Sequence, residues 1–183
     1  MRKYKRGNYT KKLIDNYCVL DIETTGLSYW DDRIIEIGIL KIRDCQIIDR
    51  YQQLINPNRE ISSFITRITG ITNDMVKAQP CLDDIYDDVF DFIGDDIIVG
   101  HNTSFDLNFI ANQFYIDIPN EYMDTVQFSR KLFPELSHHR LSDMVNYLNL
   151  SHNEHRAIAD CISTYELYEH CKSLIKISSS SFK

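Results

Sequence analysis

Five side chains in this sequence have the types and spacing to handle a cation and a water molecule. His155 and Asp160 stand five residues apart in His-Arg-Ala-Ile-Ala-Asp. Five helical steps of about 100° leave them roughly 140° apart, so they cannot share one helical face. The spacing puts His155 on the loop before a helix and Asp160 inside it, wedged against an apolar side made by Ala157, Cys161, Tyr165, Tyr168 and Cys171. A lone carboxylate there is costly, and a metal ion would remove the cost. A histidine on a loop beside a metal-bound carboxylate has the chemistry of a general base. Near the N-terminus, Cys18-Val19-Leu20-Asp21-Ile22-Glu23 reads as a buried strand. Its period of two sets Asp21 and Glu23 on one face, about 7 Å apart. Two such carboxylates repel unless a cation lies between them. In mid-chain, the apolar run Ile97–Gly100 leads into His101-Asn102-Thr103-Ser104-Phe105-Asp106. Asp106 falls in the first turn of a helix whose Phe105, Phe109 and Ile110 are apolar, and Leu107 and Asn108 offer it no cation.

The elements that must hold these groups follow from periodicity and breakers. Strands are predicted near 17–23, 33–42 and 46–55, with a tight turn at Arg43-Asp44-Cys45. Residues 56–80 read as irregular around Pro57, Gly70 and Pro80. A helix near 82–93 follows, then a strand near 96–100, a helix near 104–114 and a short strand near 121–124. Helices near 125–132, 142–149 and 157–175 complete the pattern. A meander of three strands followed by alternating helix and strand implies an α/β fold, a mixed sheet covered by helices. The aspartates at 83, 84, 87, 88, 91, 95 and 96 interleave with Leu82, Ile85, Val89, Phe92 and Ile93 at helical spacing and read as a solvated helix face.

Taken together, the four acids and His155 resemble the DEDD exonuclease superfamily, in the branch that carries His in its third motif. The motifs stand here as Asp21-Ile22-Glu23-Thr24-Thr25-Gly26-Leu27, His101-Asn102-Thr103-Ser104-Phe105-Asp106 and His155-Arg156-Ala157-Ile158-Ala159-Asp160. Within it the chain looks similar to the proofreading exonucleases of bacterial DNA polymerase III, and Lys131–Leu136 followed by His139-Arg140-Leu141 favours the Gram-positive group. The resemblance covers about residues 16–172 and implies a ribonuclease H-like fold with a five-stranded sheet. It implies Mg²⁺ or Mn²⁺, two ions per site, and carboxylate oxygens suit such hard cations. By resemblance Asp21, Glu23 and Asp160 hold one ion, Asp21 bridges to the second, Asp106 acts there largely through water, and His155 takes a proton from the attacking water. Thr24, Thr25, Gly26 and Leu27 would hold the terminal nucleotide, with Leu27 as a wedge. Phe105 would pack near sugar or base, and Ile71, in Thr69-Gly70-Ile71-Thr72, would press on the terminal base.

The activity so implied is 3′→5′ hydrolysis of single-stranded or frayed DNA ends, releasing nucleoside 5′-monophosphates, with a DNA polymerase as an unlinked partner. RNA 3′-end trimming within the same superfamily is the alternative. A catalytically silent polymerase- or nucleic-acid-binding module ranks low, because its signature would be loss of an acid and all four are present. At 183 residues the chain suits one substantial domain. We expect an exonuclease domain over 13–176, a flexible basic arm over 1–12 and a flexible Ser-rich tail over 177–183. The absence of a long apolar run or a signal-peptide pattern, together with five scattered cysteines lacking a Cys-x-x-Cys pair, points to a cytoplasmic protein with reduced thiols. The net charge of −7 has the wrong sign for a generic nucleic-acid binder. Six of the twenty Lys and Arg residues lie in residues 1–12 with no acid among them, so the acidity is concentrated in the remainder.

Overall fold

A computed structural model of the protein describes residues 4–151 and 156–180, the last two as backbone only; His155 lies outside the described residues. The sheet has six strands in the order β1-β6-β5-β2-β3-β4: β1 (Asn8–Tyr9), β2 (Tyr17–Thr24), β3 (Ile34–Arg43), β4 (Gln46–Leu54), β5 (Ile98–Gly100) and β6 (Glu121–Asp124). The meander β2-β3-β4 is antiparallel, and β5, β6 and β1 add to it in parallel. The turn between β3 and β4 takes two residues at positive φ, Asp44 and Cys45.

The helices are α1 (Ser63–Thr69), α2 (Asn73–Val76), α3 (Tyr86–Ile93, preceded by a 3-10 turn at Leu82–Ile85), α4 (Ser104–Gln113), α5 (Thr125–Leu132), α6 (Leu141–Leu148) and α7 (Ala157–Ser180). Alternation along the central strands splits the core into two layers. Cys18, Leu20 and Ile22 of β2, with Ile37 and Ile39 of β3, pack on Val89 and Ile93 of α3 and Leu107 and Ile110 of α4. Tyr17 and Val19, with Leu40 and Ile42, pack on the opposite side against Phe128 of α5, Met144 of α6 and Cys161, Tyr168 and Cys171 of α7. The phase that buries Tyr17 and Val19 under α7 therefore carries Asp21 and Glu23 to that same side.

Four features differ from the sequence expectation. The sheet has a sixth strand, because Asn8 and Tyr9 of the basic segment pair with Glu121 and Tyr122. That segment is tied down further where Lys12 bridges Glu121 at 3.1 Å. Residues 56–80 contain two short helices that periodicity could not reveal at such lengths. They are set by caps: Ser62 and Thr72 accept from the N–H groups of Ile65 and Met75, and Gly70 closes α1 at φ 70°. At the C-terminus, α7 runs to Ser180, into the segment expected as a tail. Within the aspartate run, Asp83, Asp84, Asp87, Asp88 and Asp91 are exposed as expected, whereas Asp96 is held by Lys41 at 2.8 Å and Arg43 at 2.9 Å. The five cysteines are free thiols, three of them buried. Among the described residues no helix is long and apolar enough to cross a membrane.

Candidate active site

The acids converge at the C-terminal end of β2. Carboxylate oxygens of Asp21, Glu23 and Asp160 lie within 4.8 Å of one another. Asp106 approaches from α4 and is almost fully buried; its Oδ1 accepts the N–H of Ile22 at 3.2 Å. Burial raises the Asp21 carboxyl well above the ordinary aspartate range, and the charges of Asp106, Asp160, Glu23 and Glu36 push the same way. Burial likewise raises Asp106 well above its ordinary value. Glu23 is pushed up to about 8 by burial, then by Asp160 and Glu36, with Arg156 partly offsetting them. Carboxylates this crowded either hold protons or share a cation, and hard oxygen donors suit a divalent ion of the Mg²⁺ or Mn²⁺ kind. The residues present fit such an ion.

Asp160 reaches this cluster through two residues that the motifs alone do not single out. Glu36 is fully buried on β3, directly opposite Glu23 in register. Like charges facing each other across a strand pair are unfavourable. Arg156 resolves the conflict by donating Nη2 to Glu36 Oε1 at 2.6 Å and Nε to Oε2 at 3.0 Å. Glu36 also accepts the N–H of Ala157 at 3.0 Å, the first residue of α7, and Nε2 of Gln52 at 2.8 Å. The helix that carries Asp160 is thus pinned at its N-terminus to the sheet. Gly38, which faces Asp21 in register, lets the helix approach: a Cβ there would stand 2.6 Å from the Ala157 carbonyl carbon. The clue to both lay in the alternation of Ile34–Arg43, which puts a Glu and a Gly on the face otherwise filled by Leu40 and Ile42. Removing one partner of a buried pair usually costs about 3–5 kcal/mol. With the Arg156 side chain 34% exposed, solvent reduces this, and we expect Glu36→Ala to cost about 2–3 kcal/mol. Calorimetry with Mn²⁺ should show weakened affinity alongside the lower Tm. Unchanged Mn²⁺ affinity would confine Glu36 to a stability role.

The loop after β2 is built around Asp32, another residue missed from sequence. Its carboxylate accepts from Thr25 Oγ1 at 3.1 Å and the Ser28 N–H at 2.9 Å. It packs so closely on Gly26 that a Cβ there would meet it at 2.4 Å. Thr24 turns inward and donates to the Gly26 carbonyl at 2.6 Å. Leu27 is left 85% exposed at the tip, an apolar side chain held in the open by a braced loop. Phe105 is half-buried against Phe109, with ring centroids 4.9 Å apart. Ile71, expected against the terminal base, is fully buried with Ile35, Ile61 and Val76, and it anchors the segment carrying α1 and α2.

The exonuclease family model designated RNase_T matches residues 18–168, a span that contains all four carboxylates and His155. The chain belongs to the exonuclease family. Its fold and motifs place this exonuclease in the DEDD superfamily. It is 38% identical over 157 residues to the PolC-type DNA polymerase III of Clostridium perfringens, and 38% identical over 156 residues to that of Bacillus subtilis. These matches cover 84% and 82% of the chain but only 11% of each polymerase. Among solved structures, Exonuclease X in complex with 5′ overhanging duplex DNA superposes with a TM-score of 0.72 at 26% identity, covering 86% of this chain and 92% of that one. Exonuclease I of E. coli in complex with a dT13 oligonucleotide superposes with a TM-score of 0.76 at 17% identity, over 92% of this chain and 44% of that one, a likeness of fold.

Proposed function

We propose that this exonuclease removes nucleotides from the 3′ ends of single-stranded or frayed DNA in a divalent-metal-dependent reaction, releasing nucleoside 5′-monophosphates as a proofreader working beside a DNA polymerase. The observation that carries the reading is the convergence of Asp21, Glu23 and Asp160 at the end of β2, with Asp106 behind them. Kinship with PolC-type polymerases over most of the chain supports the proofreading setting. Mg²⁺ or Mn²⁺, two ions held by Asp21, Glu23, Asp160 and, through water, Asp106, would supply Lewis acidity at the scissile phosphate. The protein's own groups do the rest. The raised affinity of Asp21 and Glu23 for protons makes them ready to exchange protons for a cation. His155, two residues ahead of Ala157 in the sequence, removes a proton from the attacking water; an imidazole titrates near neutrality and can do so at working pH. Thr24, Thr25 and Gly26 present a braced backbone to the terminal nucleotide, Phe105 flanks it, and Leu27 stacks on its base without reading its identity.

A site that grips one unpaired nucleotide discriminates through the cost of unpairing, a few kcal/mol for a matched end and less for a mismatched one. Primers with a mismatched 3′ terminus should therefore be shortened faster than matched ones, with little dependence on base identity. A 3′-blocked strand should resist, and Leu27→Ala should slow single-strand degradation without changing Mn²⁺ affinity. Equal single-turnover rates on both primers would overturn the proofreading assignment. Faster hydrolysis of a short RNA than of the same DNA sequence would replace DNA with RNA as substrate.

A further inference from the structure

A second concave surface opens beside the carboxylates with the opposite chemistry. It is a cavity of about 510 Å³ lined by His101, Asn102, Arg130, His138, His139 and Arg140 among others. Its position follows from the sheet. β2 and β5 pair in parallel with Cys18 opposite Ile98 and Val19 opposite Val99, so the register continued places Asp21 alongside His101. The strand ends are packed close: a Cβ on Gly100 would stand 3.2 Å from the Leu20 carbonyl oxygen. Both surfaces thus lie at the carboxyl edge of the parallel strands, where open α/β sheets bind ligands.

The cavity wall is fixed, and its cations are not spoken for. His101 is clamped, Nε2 donating to the His139 carbonyl at 2.8 Å and Nδ1 lying 2.8 Å from Thr125 Oγ1. Burial lowers its pKa, which leaves the ring neutral at neutral pH. The nearby acids are already engaged by backbone. Asp124 accepts the N–H groups of Asn102 and Val126 at 2.9 and 3.0 Å, and Asp143 accepts the Arg140 N–H at 3.0 Å. Arg130, Arg140 and His138 are exposed, and neither guanidinium enters an ion pair with an acid among the described residues. Two exposed arginine forks lining one concave surface suit the bidentate geometry of phosphate oxygens. In a chain of net charge −7, such a patch at the same sheet edge as an acidic cluster needs a reason.

We infer that this basic cradle binds internal phosphodiesters of a single nucleic-acid strand, a few nucleotides to the 5′ side of the end held by the carboxylates, and so sets the strand's path across the protein. The direction of the strand rests on the exonuclease reading above; binding of phosphate by the cradle does not.

The experiment combines equilibrium binding and kinetics for the parent, the double variant R130Q/R140Q and the control Lys131→Gln, an exposed neighbour on α5 that does not line the cavity. Binding of fluorescein-labelled dodecathymidylate is followed by anisotropy in Ca²⁺ over a salt series. The double variant should bind roughly tenfold more weakly. Its log–log salt slope should be shallower by about 0.7 for each phosphate that the arginines no longer neutralise. The ratio of kcat/KM on dodecathymidylate to that on the p-nitrophenyl ester of thymidine 5′-monophosphate, too short to reach the cradle, should fall about tenfold. Binding and salt slope unchanged in the double variant, or an equal loss in Lys131→Gln, would overturn the cradle. Weaker binding in the double variant, beside a parent that hydrolyses neither substrate, would uphold the cradle and overturn the exonuclease reading.

Discussion

Asp21→Asn should abolish hydrolysis, a loss of about 10³-fold or more, while making the metal-free protein more stable. Both effects come from one charge. Asp21 sits among Asp106, Asp160, Glu23 and Glu36, all of which raise its proton affinity beyond what burial already does. An amide removes that repulsion and, with it, the oxygen that best serves a cation. The loss of transition-state charge stabilisation at such a position is of the order seen when a single pre-organised electrostatic group is removed, or larger. The stability effect carries a sign that pH reveals. A carboxyl whose pKa is raised in the folded state binds a proton there that the unfolded chain has released. Its stabilising contribution is complete below the ordinary carboxylate range and is lost as pH rises through the folded value. For Glu23 the window closes near about 8, and Asp21 shifts in the same direction. In EDTA the Tm of the parent relative to Asp21→Asn should therefore fall as pH rises above the ordinary carboxylate range. Mn²⁺, which binds the deprotonated acids, should reverse the trend and bind more tightly as pH rises. A thermal melt series with and without EDTA checks this. A variant less stable than the parent at high pH in EDTA, or full hydrolysis after exhaustive chelation, would contradict the assignment of this cluster as the metal centre.

The second large effect is expected at His155. His155→Ala should reduce the single-turnover rate by about 10²–10⁴-fold, the usual worth of a general base, while leaving Mn²⁺ affinity close to that of the parent. The separation of the two readouts is what distinguishes a base from a ligand. Carboxylate oxygens of Asp21, Glu23 and Asp160 already form a compact donor set without an imidazole. The pH–rate profile of the parent should rise through the imidazole range and lose that limb in the variant. Calorimetric Mn²⁺ titration beside quench-flow rates makes the test. Loss of the ion as complete as in Asp21→Asn would make His155 a ligand and leave the base to be found elsewhere.

What the sequence determined by itself is the set of candidate catalytic acids and the strands and helices that bear them. β2, β3 and β4 occupy 17–24, 34–43 and 46–54 against expectations of 17–23, 33–42 and 46–55, because long buried strands with tight turns leave an unambiguous pattern. Asp21 and Glu23 share a face because side chains alternate along a strand, a property that needs no tertiary information. Asp160 lies in the first turn of α7, inside the helix that the apolar periodicity places near 157–175. Tertiary structure decided how those pieces meet. Glu36 looks from sequence like an ordinary strand carboxylate. Only the arrival of Arg156 and the Ala157 N–H, 120 and 121 residues on, makes it the peg that holds α7 against the sheet. Gly38 reads as a weak point in a strand until a helix backbone is found where its side chain would be. Ile71 shows the converse. Its place in a motif suggests contact with substrate, yet the packing of Ile35, Ile61 and Val76 buries it completely. The basic cradle is likewise invisible in the chain's acidic composition, since Arg130 lies in the last turn of α5 and Arg140 caps the start of α6. Local chemistry is written in residue type and period. Pairing between distant residues is set by register and by which backbone can come close, and those exist only once the sheet has formed.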